Sequence, residues 1–146
     1  MRKRILIVDD DEAILNRFRD ILQEEGYEVV TAKTGREAIK MSEAQYFDLA
    51  LLDIKLPDIE GTRLLTEMHE ETPRMMKIMV TGYPSLENAV EALNQGADAY
   101  IMKPVDPPRL LEVVEEKLRE QEEAESLSEE EITKWIESRI RKLERE

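Results

Sequence analysis

The sequence predicts an α/β fold built on a doubly wound parallel β-sheet, with helices on both faces. Two observations lead to this prediction. Short, continuous apolar runs bounded by turn residues recur along the chain, and such runs are typical of strands buried on both faces. A segment with apolar residues at helical spacing follows each run, and the pair recurs about five times. That alternation is typical of parallel strands joined by right-handed helical crossovers.

The first two strand–helix units are predicted from residue 5 to residue 44. The apolar run 5–8 stops at Asp9, and a helix with apolar residues at helical spacing follows it as far as Gly26. Glycine at that point is suited to ending a helix. Residues 27–32 are the second predicted strand, and residues 34–44 are the second helix.

The third to fifth units repeat the pattern. Ser85 is suited to cap the fourth helix, and Gly96 to end it. Asp106 followed by Pro107 predicts the start of the fifth helix, since proline is favoured at the first helical position. The predicted strands of these units are 47–52, 78–80 and 99–102.

Composition and charge exclude several classes of function. The chain has 146 residues and no cysteine, so disulfides and thiolate metal sites are excluded. Its net charge of −13 repels a phosphate backbone, so we expect no nucleic-acid binding by its own surface. No apolar stretch reaches the roughly 18 residues of a membrane span. The basic start is followed by an apolar run too short for a secretory signal, and we expect a cytoplasmic protein without membrane contact.

Four predicted strands end directly on a polar residue or a polar pair. These residues are Asp9 with Asp10, Asp53, Thr81 and Lys103. Ligands of open parallel sheets bind beyond the carboxyl ends of the strands, so we expect these side chains to share one crevice. Carboxylates suit Mg²⁺, and a carboxylate can also act as a nucleophile toward phosphorus. A hydroxyl and an ammonium would stabilise a transferred phosphoryl group. A cis peptide bond is expected before Pro104, in the turn that aims Lys103 back into the crevice.

The blocks around these residues resemble the receiver domain of two-component response regulators. They read Ile-Leu-Ile-Val-Asp-Asp-Asp, Leu-Leu-Asp-Ile-Lys-Leu-Pro-Asp-Ile-Glu-Gly, Val-Thr-Gly-Tyr and Gly-Ala-Asp-Ala-Tyr-Ile-Met-Lys-Pro. The resemblance covers about residues 3–120. It implies a five-stranded sheet in the flavodoxin-like order 2-1-3-4-5, which periodicity does not reveal.

The resemblance also implies a phosphoacceptor and a metal site. Asp53 would accept a phosphoryl group from a sensor histidine kinase or a phosphotransfer protein. Asp9, Asp10 and Asp53, with the backbone carbonyl of Lys55, would hold Mg²⁺, for which Mn²⁺ could substitute. Asp11 is left out of this set as a helix cap.

Three further roles follow from the same resemblance. Thr81 and Lys103 would contact the phosphoryl oxygens. Tyr100 would be the switch aromatic that swings inward when Thr81 moves. Such a switch would act through protein contacts on a downstream target.

Two residues beside the expected site are candidates for tuning its rates. Lys55 lies two positions after Asp53, and Tyr83 lies two positions after Thr81. Lys55 could reach the phosphoryl edge, or it could be a solvated loop lysine. Tyr83 could shield an acyl phosphate from water, or it could pack elsewhere. We hypothesise that the pair lengthens the lifetime of the phosphorylated state.

The chain is predicted to divide into a receiver domain, 1–120, and a tail, 121–146. Residues 119–128 are acidic and could extend the fifth helix or form a linker. Ser128 and Glu131 form a capping box, which predicts a separate sixth helix. Its apolar stripe could dock on the receiver core or make a dimer or partner contact. The stripe consists of Ile132, Trp135, Ile136, Ile140 and Leu143.

Two classes of function remain open from the sequence. The first is a phosphorylation-controlled switch without a DNA-binding output domain, for which the tail is too short. A homodimer could form through the tail helix or through the face of the fourth and fifth helices. The second is an aspartyl-phosphate phosphatase or phosphotransferase. That class usually carries a second acid two positions after the nucleophile, where this chain has Lys55. We therefore expect no catalysis beyond self-phosphorylation from a donor and autodephosphorylation.

Overall fold

The computed structural model describes residues 2–71, 74–82 and 85–145. Strands and helices alternate along the whole chain, as the apolar pattern predicts. The elements are β1 (Arg4–Val8), α1 (Glu12–Glu24), β2 (Glu28–Ala32), α2 (Gly35–Ala44), β3 (Leu49–Leu52), α3 (Gly61–Glu71), β4 (Met76–Thr81), α4 (Leu86–Asn94), β5 (Ala99–Met102) and α5 (Pro107–Arg145).

The five strands form one parallel sheet in the order β2-β1-β3-β4-β5. This confirms both the doubly wound fold class and the strand order implied by the resemblance. Alternate side chains of the strands enter two separate cores, because successive residues of a strand point to opposite faces. Ile5 and Ile7 of β1 pack with α1 and α5, whereas Leu6 and Val8 pack on the opposite face with α2 and α3.

The predicted helix signals hold at several ends. Ser85 accepts a hydrogen bond from the backbone N–H of Asn88 at 3.0 Å and caps α4. Gly26 and Gly96 have φ of 95° and 108°, a conformation that glycine adopts at little cost after a helix. One strand was predicted too short: β4 begins at Met76, because a buried lysine, Lys77, interrupts the apolar run that marks the strand.

The C-terminal region is one continuous helix from Pro107 to Arg145. Of the two alternatives for residues 119–128, the structure therefore shows the extension of the fifth helix. The prediction of a separate helix that begins at Ser128 is wrong, because the predicted tail helix is the distal part of α5. Residues 119–128 contain no glycine or proline and are rich in glutamate, which favours helix. The predicted boundary at residue 120 falls inside this helix.

Gln121 fixes α5 to the lower edge of the sheet, where the strands begin. Its side-chain amide is buried and donates to the backbone carbonyls of Asp48, at 2.9 Å, and Arg74, at 2.7 Å. Glu122, the next residue, pairs with Lys3 at 3.1 Å, and residues 129–144 are exposed. The tail stripe does not dock on the receiver core, because all five of its apolar side chains are exposed. Among the residues described, no helix combines the length and apolar character needed to span a membrane.

Candidate functional site

The carboxyl ends of the strands bring the predicted residues to one edge of the sheet. Backbone hydrogen bonds that continue the strand ladders hold each one there. The N–H of Asp53 donates to the carbonyl of Val8 at 3.0 Å, which ties the end of β3 to the end of β1. The N–H of Lys103 donates to the carbonyl of Thr81 at 2.7 Å, which ties β5 to β4. The site is therefore built on rigid strand ends.

Three carboxylates meet at this edge. One oxygen from each of Asp9, Asp10 and Asp53 lies within 4.8 Å of the others. Asp9 and Asp53 are buried, whereas Asp10 is exposed. The side chain of Asp9 accepts from the N–H of Asp11 at 2.9 Å, which orients it. Asp11 itself caps α1 by accepting from the N–H groups of Ala13 and Ile14, as predicted.

Lys103 supplies the positive charge of the site. Its ammonium lies 2.6 Å from Oδ2 of Asp9 and 3.4 Å from Oδ2 of Asp53. Burial lowers the pKa of Lys103, but the hydrogen bond to Asp9 and the charges of Asp53 and Asp9 outweigh it, so the pKa is raised. Lys103 therefore remains an ammonium at neutral pH. The Lys103–Pro104 peptide bond is cis, as predicted.

The environment of Asp53 disfavours its negative charge, whereas that of Lys103 favours its positive charge. Burial raises the pKa of its carboxyl group, Lys103 lowers it and the nearby Asp9 raises it again, with a net rise. The N–H of Lys55 donates to Oδ1 of Asp53 at 3.4 Å and favours the charged form. A poorly solvated carboxylate with a raised pKa is a better nucleophile than a solvated one.

The loop after Asp53 is fastened to α2 by a residue that the sequence did not single out. Asp58 accepts from the N–H groups of Gly35, at 2.9 Å, and Arg36, at 3.0 Å. Burial raises the pKa of Asp58, but the hydrogen bonds from these N–H groups stabilise the charged form and outweigh it, so the pKa is lowered. The two partners are 23 and 22 residues away in the chain, so no local pattern could have revealed the contact.

Gly61 closes the same loop against the phosphoacceptor strand. Its N–H donates to the carbonyl of Ile54 at 2.6 Å. A Cβ atom at Gly61 would lie 2.3 Å from the carbonyl oxygen of Asp53 and 2.5 Å from Cα of Ile54. Both distances are too short for any side chain. Glycine therefore allows the loop carrying Lys55 to fold tightly over the end of β3. The side chain of Lys55 itself is exposed.

Thr81 and Tyr100 lie on the neighbouring strands β4 and β5. Thr81 is fully buried at the end of β4. Tyr100 packs against the core cluster between the sheet and α3, and its hydroxyl is buried without a hydrogen-bond partner among the residues described. Tyr83, the other proposed tuning residue, lies outside the described residues. The structure thus brings Asp9, Asp10, Asp53 and Lys103 into one cluster, with Thr81 at the same edge.

The charges of the cluster fit a divalent cation. Three carboxylates and one ammonium leave two negative charges uncompensated. All the available donors are hard oxygens, the type that Mg²⁺ prefers. The exposed position of Asp10 leaves the cluster open to solvent on one side, as an ion that keeps several waters requires.

Comparison with known families agrees with the fold. The family described as "Response regulator receiver domain" matches residues 5–115. The chain belongs to this family of two-component signalling domains.

Similar proteins include regulators from several bacteria. The alginate biosynthesis transcriptional regulatory protein AlgB of Pseudomonas syringae is 40% identical over 107 residues, which are 73% of this chain and 24% of AlgB. The alkaline phosphatase synthesis transcriptional regulatory protein PhoP of Bacillus subtilis is 35% identical over 129 residues, which are 88% of this chain and 54% of PhoP. The chain thus spans about a quarter to about half of the length of these relatives.

One similar solved structure matches this chain over most of its length. It is a CheY-like response regulator receiver domain protein from Methanospirillum hungatei, with 60% sequence identity and a TM-score of 0.84. The match covers 85% of this chain and 99% of the other.

Proposed function

We propose that this chain is a phosphorylation-controlled signalling switch in which Asp53 accepts a phosphoryl group from a sensor histidine kinase or a phosphotransfer protein. The observation that carries the proposal is the clustering of Asp53 with two further carboxylates and the Lys103 ammonium. Family membership supports it, since receiver domains are modules of two-component systems. Because such donors acquire their phosphate from ATP, the chain is proposed to act in the cytoplasm.

The transfer is a displacement at phosphorus. A carboxylate oxygen of Asp53 forms the new bond to phosphorus, and the bond from phosphorus to the donor nitrogen breaks, so that the nitrogen takes the electron pair. Lys103, 3.4 Å from Asp53, is placed to contact a phosphoryl oxygen, and Thr81 would supply a hydroxyl to another. A fixed ammonium and a fixed hydroxyl donor stabilise the negative charge of the transferred group.

Mg²⁺, or Mn²⁺ in its place, would be held by Asp9, Asp10, Asp53 and the backbone carbonyl of Lys55. When bound, the ion neutralises charge on the phosphoryl oxygens. Asp58 and Gly61 would hold the Lys55 segment in position for this role, because Gly61 ties the loop to Ile54 and Asp58 ties it to the start of α2.

The phosphorylated state would be transmitted by Thr81 and Tyr100. Movement of Thr81 toward the phosphoryl group would let Tyr100 move inward and change the surface of α4 and β5. That surface exposes Leu86, Val90, Leu93 and Met102, a set of apolar side chains suited to a downstream protein target. Lys55 and Tyr83 would lengthen the lifetime of the acyl phosphate.

We propose no catalysis beyond self-phosphorylation and autodephosphorylation. A phosphatase of the aspartyl-phosphate type needs an acid to protonate its leaving group, and Lys55 occupies the position where such an acid usually stands.

A labelling experiment separates the switch from the enzyme. The chain is incubated with radiolabelled acetyl phosphate and Mg²⁺, and label per chain is followed with time. The switch predicts at most one phosphoryl group per chain, none in EDTA and none in Asp53→Asn. Repeated turnover of a generic phosphate ester would contradict the proposal.

A further inference from the structure

The distal part of α5 presents an apolar face that the described chain leaves uncovered. Residues 129–144 are exposed throughout, and five large apolar side chains among them are 46–71% exposed. These five residues, here called the tail face, are Ile132, Trp135, Ile136, Ile140 and Leu143.

The tail face continues the side of α5 that packs on the receiver core. Ile132 follows the buried Val114 by 18 residues, or five turns at 3.6 residues per turn, so both point in the same direction. Below the sheet, Ile132 joins Met76, Gln121 and Glu125 in lining an open groove. A helix lying against the tail face would reach this groove with its end.

Charges on the side of the tail face that carries Trp135 are segregated by sign. At 100° per residue, Glu125 and Glu129 lie within about 45° of the centre of the face at its beginning, and Glu131 lies about 120° from the centre on the Trp135 side. At the end of the face, Arg139 and Lys142 lie about 40° and 100° from the centre on the same side, and Glu144 lies about 100° from it on the other side. Arg139 also stacks over the Trp135 ring at 5.1 Å. The face is therefore complementary in charge to its own reversed copy.

We propose that the tail face binds the tail face of a second copy of this chain in antiparallel orientation. A two-fold axis near Ile136 brings Ile132 of each copy level with Ile140 of the other. Glu131 of each copy then lies beside Lys142 of the other, and the basic end of each helix approaches the groove below the other copy's sheet, which is lined by Glu125, Glu129 and Arg74. A parallel pair would place acids against acids and bases against bases.

The size of this interface defines the expected strength. Two helical faces of five apolar side chains each form a contact at or below the roughly 1,200 Å² typical of transient complexes. We therefore expect a dimer that dissociates in the micromolar range. Its formation does not require phosphorylation, since none of its residues belongs to the acidic cluster, and Asp53→Asn should dimerise like the wild type.

Sedimentation of the full chain over a concentration series tests the apolar contact. The wild type should shift from monomer to dimer. Ile136→Ala, at the two-fold axis, should raise the dissociation constant at least tenfold, because it removes apolar contact in both copies. Lys134→Ala, on the opposite side of the helix, is the matched control and should leave it unchanged. Alanine favours helix in both variants.

Charge reversal tests the orientation. At low salt, Glu131→Lys and Lys142→Glu should each raise the dissociation constant roughly three- to tenfold. The double variant should recover, and so should an equimolar mixture of the two single variants. A chain that stays monomeric at all concentrations would overturn the proposal. So would single reversals that leave the dissociation constant unchanged or lower it, since in a parallel pair each reversal removes like charges from a cluster of one sign at the contact.

Discussion

The ammonium of Lys103 donates a 2.6 Å hydrogen bond to Oδ2 of Asp9, across the ends of two intervening strands. The two side chains are only 16% and 6% exposed. Asp9 is also one of the carboxylates proposed to hold Mg²⁺. The Lys103 ammonium and the metal ion would therefore bind the same carboxylate, and their positive charges would repel each other.

This repulsion predicts that Lys103→Met binds Mg²⁺ more tightly than the wild type. Removal of a positive charge from the cluster should lower the dissociation constant about tenfold, equivalent to about 1.4 kcal/mol. Phosphorylation from acetyl phosphate should nevertheless slow, because the phosphoryl oxygens lose a cationic partner. Titration calorimetry measures the affinity, with Lys40→Met, an exposed lysine elsewhere, as control. Equal or weaker Mg²⁺ binding would show that Lys103 does not oppose the ion.

Asp10→Asn should make the metal-free protein more stable. Asp10 lies within 4.8 Å of two other carboxylates and is exposed, so its removal relieves repulsion without disturbing the core. We expect a gain of about 0.5–1 kcal/mol in the free energy of unfolding. The wild type should gain about 1.4 kcal/mol from Mg²⁺ at ten times its dissociation constant, and the variant should lose most of that gain. Thermal denaturation in EDTA and in Mg²⁺ distinguishes these effects. If Asp10→Asn is less stable than the wild type in EDTA, the three carboxylates do not repel one another as proposed.

Asp58→Ala should loosen the loop that carries Lys55. The change removes the acceptor of two N–H groups at the start of α2, and loss of such a cap typically costs about 1 kcal/mol. Mg²⁺ affinity should fall as well, because the Lys55 carbonyl is no longer held in place. Asp58→Asn keeps one acceptor oxygen and should recover part of both losses. If Mg²⁺ binding is unchanged in Asp58→Ala, the loop does not position a ligand.

Lys77 makes the stability of the fold depend on pH. Its side chain is fully buried and its ammonium donates to the carbonyl of Met75 at 2.7 Å. Burial lowers the pKa of Lys77 below the ordinary 10.5, with the charge of Asp98 acting in the opposite direction. The unfolded chain therefore binds this proton more readily, and the folded state gains stability as pH rises from the lowered pKa toward 10.5.

Comparison with Lys77→Met isolates this contribution. Other groups titrate alike in both proteins, so the unfolding free energy of the wild type minus that of the variant should increase between pH 7 and about pH 10. Urea denaturation at several pH values measures the difference. A difference that stays flat or decreases would mean that the pKa of Lys77 is not lowered.

The sequence predicted the residues of the site because each one follows a short apolar run. Asp53 and Lys103 end such runs, and parallel strands necessarily present these ends at one edge. Strand order could not be obtained in this way, since it depends on pairing between distant segments, and it came from the resemblance. The contact of Asp58 with Gly35 was missed for the same reason.

Two errors arose where a local signal was misleading. Lys77 reads as a polar boundary, although the fold buries it inside β4. The capping box at Ser128 reads as a helix start, although the glutamate-rich segment before it is itself helical and the helix continues through. In both places the surrounding structure outweighs the local pattern.

The most direct test of the account is the intact mass of the chain after incubation with acetyl phosphate and Mg²⁺. The wild type should gain about 80 daltons, the mass of one phosphoryl group, and so should Asp20→Asn, which alters an exposed aspartate on α1. Asp53→Asn should gain nothing. An undiminished gain of mass in Asp53→Asn would contradict the assignment of the phosphoacceptor.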